Sequence, residues 1–189
     1  MKEETIIAGF GGQGVLSMGK ILAYAALLQG KEVTWMPSYG PEQRGGTANV
    51  TVIIADTAIS SPILDSYDTA VILNQQSLDK FEKAIKPGGI LIYDPYGIKH
   101  KPERKDITII KVPAMETIFE LGNAKAYNML LLGAYIAVRP IVNIEDVMRG
   151  LKKTLPERHH HLLDANEEAI RKGYRITKAI LESQKSKID

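Results

Sequence analysis

The spacing of apolar residues changes repeatedly along the chain, and each change marks an element. Thr5 to Gly9 is a short apolar run with β-branched residues that ends in glycine, which predicts a strand buried on both faces. From Gln13 to Gln29 the apolar positions Val15, Leu16, Met18, Leu22, Ala23, Ala26 and Leu27 recur near helical spacing, and Gly30 supplies the stop. Glu32 to Met36 predicts a second strand, giving the βαβ order. Tyr39 to Gly46, with its proline and three glycines, predicts a loop. Ala48, Val50, Val52 and Ile54 then alternate with their neighbours as in a strand with one better-buried face, closed by Asp56-Thr57. Further on, the pattern predicts a strand over Thr69 to Leu73 and a helix over Gln75 to Lys86 with Leu78, Phe81, Ala84 and Ile85 inward. A turn at Pro87-Gly88-Gly89 follows, then strands at Ile90 to Tyr93 and Ile107 to Lys111. From about Ala114 onward the chain reads as helical, punctuated by Pro140 and Pro156.

Together these elements predict a single α/β domain. A Rossmann-like open, mostly parallel sheet flanked by helices should occupy about residues 1–112, with a mostly helical part over about 113–189. Composition narrows the possibilities. The 189 residues are 44% hydrophobic and 24% charged, an ordinary globular balance that rules out a disordered or collagen-like chain. Cysteine is absent, so this polypeptide offers no thiolate for a disulfide or an iron-sulfur cluster. A formal charge of +2 gives no basic excess for nucleic acid. The longest apolar run, Met129 to Val138, falls short of the roughly 20 residues that span a bilayer. Met1-Lys2-Glu3-Glu4 has no signal-peptide pattern, so a cytoplasmic location is expected, with neither nucleic acid nor membrane as partner.

The candidate chemistry lies after the first strand, where Gly9-Phe10-Gly11-Gly12-Gln13-Gly14 fits G-x-G-x-x-G. Without Cβ atoms such a backbone turns tightly and approaches a ligand closely, and the positive end of the following helix favours a pyrophosphate. The same glycines would also serve a close helix–strand packing with nothing bound. An NAD site wants an acid at the end of the second strand for the ribose hydroxyls, and here that strand runs into Met36-Pro37-Ser38-Tyr39, with Glu32 at the wrong end. A phosphate-bearing ligand other than NAD fits better. The second strand should end at the same sheet edge as the first, which brings the loop carrying Tyr39, Glu42 and Arg44 beside the glycine turn. Arg44 is a forked donor suited to a phosphate or carboxylate; alternatively it pairs with Glu42 on an exposed tip.

Gly11-Gly12-Gln13-Gly14 followed by Tyr39-Gly40-Pro41-Glu42-Gln43-Arg44-Gly45-Gly46 resembles the gamma subunit of 2-oxoacid:ferredoxin oxidoreductases, the pyruvate/ketoisovalerate oxidoreductase gamma family. Ser61-Pro62, Asn74-Gln75, Pro87-Gly88-Gly89 and Asn128-Met129 before Leu132-Gly133-Ala134 extend the likeness over about Thr5 to Val138. Gly9-Phe10 and Trp35-Met36-Pro37-Ser38 look most like the 2-oxoglutarate or branched-chain branch. The resemblance implies an enzyme that decarboxylates a 2-oxoacid on thiamine diphosphate with Mg, passes electrons through iron-sulfur clusters to ferredoxin and releases an acyl-CoA. It also implies that alpha, beta and ferredoxin-like subunits carry the thiamine and the clusters, and that this chain contributes to coenzyme A binding. The implied contacts are Gly9, Gly11, Gly12, Gln13, Gly14, Tyr39, Glu42, Arg44 and Asn128, with no catalytic residue and no metal ligand on this chain.

Several other residues have simpler readings. His159-His160-His161 cannot turn all three rings to one ion on regular structure, and a solvated lead-in to the last helix or a subunit contact is expected. Asp94, past the strand ending at Tyr93, either functions at the sheet edge or caps the turn before Pro95. Asn128 opens an apolar segment, either as a contact in the site or as a buried hydrogen bond fixing the helix entry. No G-x-S-x-G elbow and no Walker loop are present. Two alternatives remain beside the oxidoreductase subunit: a self-contained Rossmann-type enzyme with a nucleotide cofactor, and a structural subunit whose glycine turn binds nothing.

Overall fold

Six strands and six helices, joined by three short 3-10 turns, make up the computed structural model, which describes residues 1–40 and 45–186. In chain order they are β1 (Lys2–Phe10), α1 (Val15–Leu28), β2 (Glu32–Tyr39), β3 (Thr47–Ala55), β4 (Tyr67–Ile72), α2 (Gln75–Phe81), β5 (Ile85–Tyr93), β6 (Thr108–Lys111), α3 (Ala114–Glu120), α4 (Tyr127–Val138), α5 (Ile144–Thr154) and α6 (Leu163–Lys185). The strands form one sheet in the order β2-β3-β1-β4-β5-β6. The pairs β1/β4, β4/β5 and β5/β6 are parallel, whereas β3 runs antiparallel to both β1 and β2. The sheet is therefore mixed, with β3 alone pointing the other way. The reason is the connector after β2: a stretch this short closes a hairpin, whereas a parallel return takes a dozen residues or more. β3 folds back and inserts between β1 and β2, pairing along the whole of β1 from Lys2↔Ala55 to Phe10↔Thr47.

Two predicted boundaries move. β2 extends past Met36 through Pro37 to Tyr39, and it is an edge strand, where a residue without an N–H need cost no ladder bond. The helix expected to reach Lys86 stops at Phe81, and Ile85 and Lys86 belong to β5. Its pairing jumps from Tyr67↔Ile85 to Thr69↔Ile90, so the turn chemistry of Pro87-Gly88-Gly89 makes a bulge inside a strand. Gly88 there has φ +75°, and a Cβ on Gly89 would stand 2.9 Å from the Asp68 carbonyl oxygen.

Strand alternation sends Ile7 to one face, packed under α1, α4 and α6, and Ile6 and Ala8 to the other, with Leu78 and Phe81 of α2. α4 is buried on every side from Tyr127 to Ala137, which explains the apolar run Met129 to Val138 as a central core helix. Where α4 crosses α6 the backbones touch: a Cβ on Gly133 would lie 1.9 Å from the Ile170 carbonyl oxygen, and one on Gly173 1.9 Å from that of Leu130. No helix among the described residues is long and apolar enough to cross a membrane.

The amino end of the sheet is closed by paired charges. Buried Glu3 accepts a hydrogen bond from Thr69 Oγ1 at 2.6 Å and faces Arg139 Nε at 3.3 Å. Arg139 also donates to Thr69 Oγ1 and to the Asp68 carbonyl. Beside them, Lys86 bridges Glu4 and Asp68, and the hydroxyls of Thr5 and Tyr135 bond at 2.9 Å.

Candidate ligand-binding site

At the carboxyl end of the sheet, β1 gives way to the turn Gly11-Gly12-Gln13-Gly14, and α1 starts at Val15. Gly12 (φ +99°) and Gly14 (φ +76°) occupy the left-handed region that L side chains rarely adopt, so the turn needs glycine at both positions. Gly12 faces open space, with no atom within 4 Å of where its Cβ would be. Gly11 N–H donates to the Gly46 carbonyl at 2.8 Å, tying the turn to the start of β3 as the shared sheet edge predicts.

The turn is held from below by two side chains. Gln13 accepts from Phe10 N at 2.6 Å through Oε1 and donates to the Leu73 carbonyl at 3.3 Å through Nε2, clasping the ends of β1 and β4. A Cβ on buried Gly9 would meet that Oε1 at 2.7 Å, so Gly9 makes room for the clasp. Asn128 Nδ2 donates to the Gly14 carbonyl at 3.1 Å and would lie 2.4 Å from a Cβ on Gly14. The structure thus brings Gly9, Gln13 and Asn128 to the turn as supports, and leaves Gly11, Gly12, Gly14 and Tyr39 lining the cleft above it. Glu42 and Arg44 lie outside the described residues.

Helix α1 opens with no side-chain cap and no acid in its first turn. Among the described residues, the amides of Gly12, Gly14, Val15, Leu16 and Ser17 donate to no protein acceptor. Such N–H groups at the positive end of a 14-residue helix are complementary to an anion. Their cleft has a volume of about 710 Å³ and runs from Gly11, Gly12 and Gly14 to Trp35 on the edge strand. That volume is in the range of small-ligand pockets. Its described lining is mostly apolar, carries no charged side chain, and lacks an acid at the end of β2.

Sequence reasoning missed Leu16 and Trp35 as cleft residues and gave Trp35 only as a mark of resemblance. One signal was available: Trp35, Pro37 and Tyr39 are spaced by two, which puts them on one face of a strand. Asp94 proves to be a cap, accepting from Tyr96 N at 3.1 Å and from Met115 N, at the start of α3, at 3.0 Å. Burial pushes its carboxyl above the usual range while these donors pull it back. The histidines diverge. His160 Nε2 contacts the Leu155 carbonyl at the end of α5, His161 Nδ1 that of Arg158, and His159 Nε2 accepts from Arg158 Nε.

The model of the pyruvate ferredoxin/flavodoxin oxidoreductase family matches residues 4–176. Ketoisovalerate oxidoreductase subunit VorA of Methanothermobacter marburgensis is 45% identical over 132 residues, 70% of this chain, which spans 27% of that protein's length. The 2-oxoglutarate synthase subunit KorC of Methanocaldococcus jannaschii is 33% identical over 183 residues, covering 95% of this chain and 96% of that one. The crystal structure of a keto/oxoacid ferredoxin oxidoreductase gamma subunit from Geobacter sulfurreducens PCA superposes with TM-score 0.82 at 28% identity, over 95% of this chain and 98% of that one. The 2-oxoglutarate:ferredoxin oxidoreductase of Magnetococcus marinus, solved with 2-oxoglutarate, coenzyme A and succinyl-CoA bound, superposes with TM-score 0.85 at 26% identity, over 94% of this chain and 31% of that one.

Proposed function

From the fact that the chain belongs to the pyruvate ferredoxin/flavodoxin oxidoreductase family, we propose that it is the gamma subunit of a cytoplasmic 2-oxoacid:ferredoxin oxidoreductase, and that it binds the diphosphate of coenzyme A. The likeness to KorC along nearly the whole of both chains favours 2-oxoglutarate as the acid. In this reading alpha, beta and ferredoxin-like partner subunits hold thiamine diphosphate, Mg and the iron-sulfur clusters and pass electrons to ferredoxin, consistent with a chain that has no cysteine. Coenzyme A, when bound, supplies the thiol that receives the acyl group.

The observation that carries the assignment to this chain is the set of amides at Gly12 and from Gly14 to Ser17 without acceptors among the described residues, opening into a cleft that holds no carboxylate among its described lining. The amides suit a diphosphate, and the missing acid at Tyr39 removes the ribose contact an NAD site uses. Gln13 and Asn128 act from outside the cleft by holding the turn that aims those amides. Titration calorimetry with coenzyme A and NAD in parallel tests the reading. Saturable heat with coenzyme A, and NAD binding at least about tenfold weaker, is expected; a preference for NAD returns the chain to the dehydrogenase alternative.

A further inference from the structure

The amides account for the charged part of a ligand, but the larger part of the cleft is apolar and asks for something else. On edge strand β2, Trp35, Pro37 and Tyr39 present one face to it, and Leu16 lines it from the first turn of α1. Strand register fixes how deep the cleft runs. Tyr39 pairs with Ala48, which pairs with Gly9 at the glycine turn; Trp35 pairs with Val52, which pairs with Thr5 halfway down β1. From mouth to back this aromatic face is about 13 Å long, four residues at roughly 3.3 Å each. Trp35 is 39% exposed and Tyr39 62% exposed, so both rings keep an open face toward the cleft they line. The described walls carry no charged side chain, and the aromatic face along β2 is complementary to a flat, uncharged group.

Resting on the coenzyme A reading, we infer that Trp35 is the platform on which the purine ring of the ligand stacks, so that the nucleotide end points back along β2 and the pantetheine end points out of the cleft. This orientation is the one that leaves the thiol free to reach a partner subunit. Stacking also explains how a site without a ribose acid would still discriminate a nucleotide from a bare diphosphate, because every purine offers a π-face to an indole.

Trp35 is the chain's sole tryptophan, so its emission reports on this surface alone. The full chain is titrated with coenzyme A, ADP and phosphopantetheine while emission is recorded, and calorimetry follows binding independently. Coenzyme A and ADP should quench saturably and phosphopantetheine should not. Trp35→Ala should weaken coenzyme A binding about tenfold, the size expected for loss of one stacked base. Trp35→Phe, which keeps a ring, should stay within about threefold of wild type, and both variants should melt with the wild type. Quenching by phosphopantetheine but not by ADP would reverse the orientation and overturn the inference. Calorimetric binding of coenzyme A with unchanged emission and a normal Trp35→Ala affinity would remove Trp35 from the site while leaving the coenzyme A reading intact. No binding of coenzyme A to the wild-type chain would take down that reading and this inference together. Unchanged affinity in Trp35→Ala with lost assembly of the complex would make the residue a subunit contact instead.

Discussion

The two ends of the sheet solve opposite problems with the same kinds of group. At the amino end, Glu3, Glu4, Asp68, Lys86 and Arg139 gather where β1, β4, β5 and α4 meet, and each charge has a partner within the fold. At the carboxyl end, five successive or near-successive amides have no acceptor among the described residues, and the described lining of the cleft before them carries no charged side chain. Buried charge that is neutralised internally has nothing left to offer a ligand. Unsatisfied donors at a helix start, kept in place by uncharged clasps such as Gln13 and Asn128, are incomplete without one. The sheet thus has one end whose charges are paired within the fold and one whose amide donors are left open among the described residues, and substitutions should separate the two.

The largest effect is expected at the closed end. Arg139→Met removes the cation facing Glu3, a carboxylate buried to 5% exposure, and leaves the Thr69 hydroxyl without one donor. Breaking a fully buried pair costs about 3–5 kcal/mol; with the Arg139 side chain 28% exposed, about 2–3 kcal/mol is expected at neutral pH. Urea denaturation measures the loss, and coenzyme A affinity should remain within about twofold. A stable variant that binds coenzyme A poorly would mean the two ends are not independent.

At the open end, paired substitutions sharpen the contrast between support and contact. Gly14→Ala forces φ +76° on an L residue and drives a Cβ to within 2.4 Å of Asn128 Nδ2, so stability should fall by about 2 kcal/mol and binding with it. Gly12→Ala meets strain alone, since no atom lies near its Cβ, and should cost about 1 kcal/mol of stability. Its methyl group nevertheless stands on the open side of the turn, so coenzyme A affinity should fall at least about tenfold. Equal binding by Gly12→Ala and wild type would place the ligand elsewhere.

How much of this was legible beforehand follows from the range of each interaction. Alternation and helical spacing marked all six strands and α1, and G-x-G-x-x-G found the turn, because those signals are local. The insertion of β3 between β1 and β2 depends on strand pairing, and only the short connector hinted at it. Ile85 fitted the inward stripe of a helix and lies in a strand, because the spacing that suits one helical turn also suits a strand entered through a bulge. Within the site, Gln13 was named for its place in the motif, yet its side chain faces Leu73, sixty residues on. Glu3 and Arg139 have no local pattern at all; their meeting is a property of the folded sheet.

The smallest effect tests how Glu3 itself is held. Its carboxyl is pushed above the ordinary 4.5, first by burial and then by the Asp68 charge, with Thr69, Arg139 and Thr5 pulling the other way. An acid whose pKa is higher folded than unfolded holds more proton in the native state, so its contribution to stability is greatest below 4.5 and declines as pH rises through the folded value. Glu3→Gln keeps an acceptor for the Thr69 hydroxyl and removes the ionisation. Glu4, Asp106 and Asp146 are shifted downward and impose the opposite slope, but they do so in both proteins and cancel in a difference. The melting temperature of Glu3→Gln minus that of wild type should therefore rise with pH above about 4.5 and level off once the folded carboxyl is ionised, as followed in calorimetric scans. If the difference instead falls with pH, the ion pair with Arg139 outweighs the burial of Glu3, and the closed end gains stability from its charge rather than merely tolerating it.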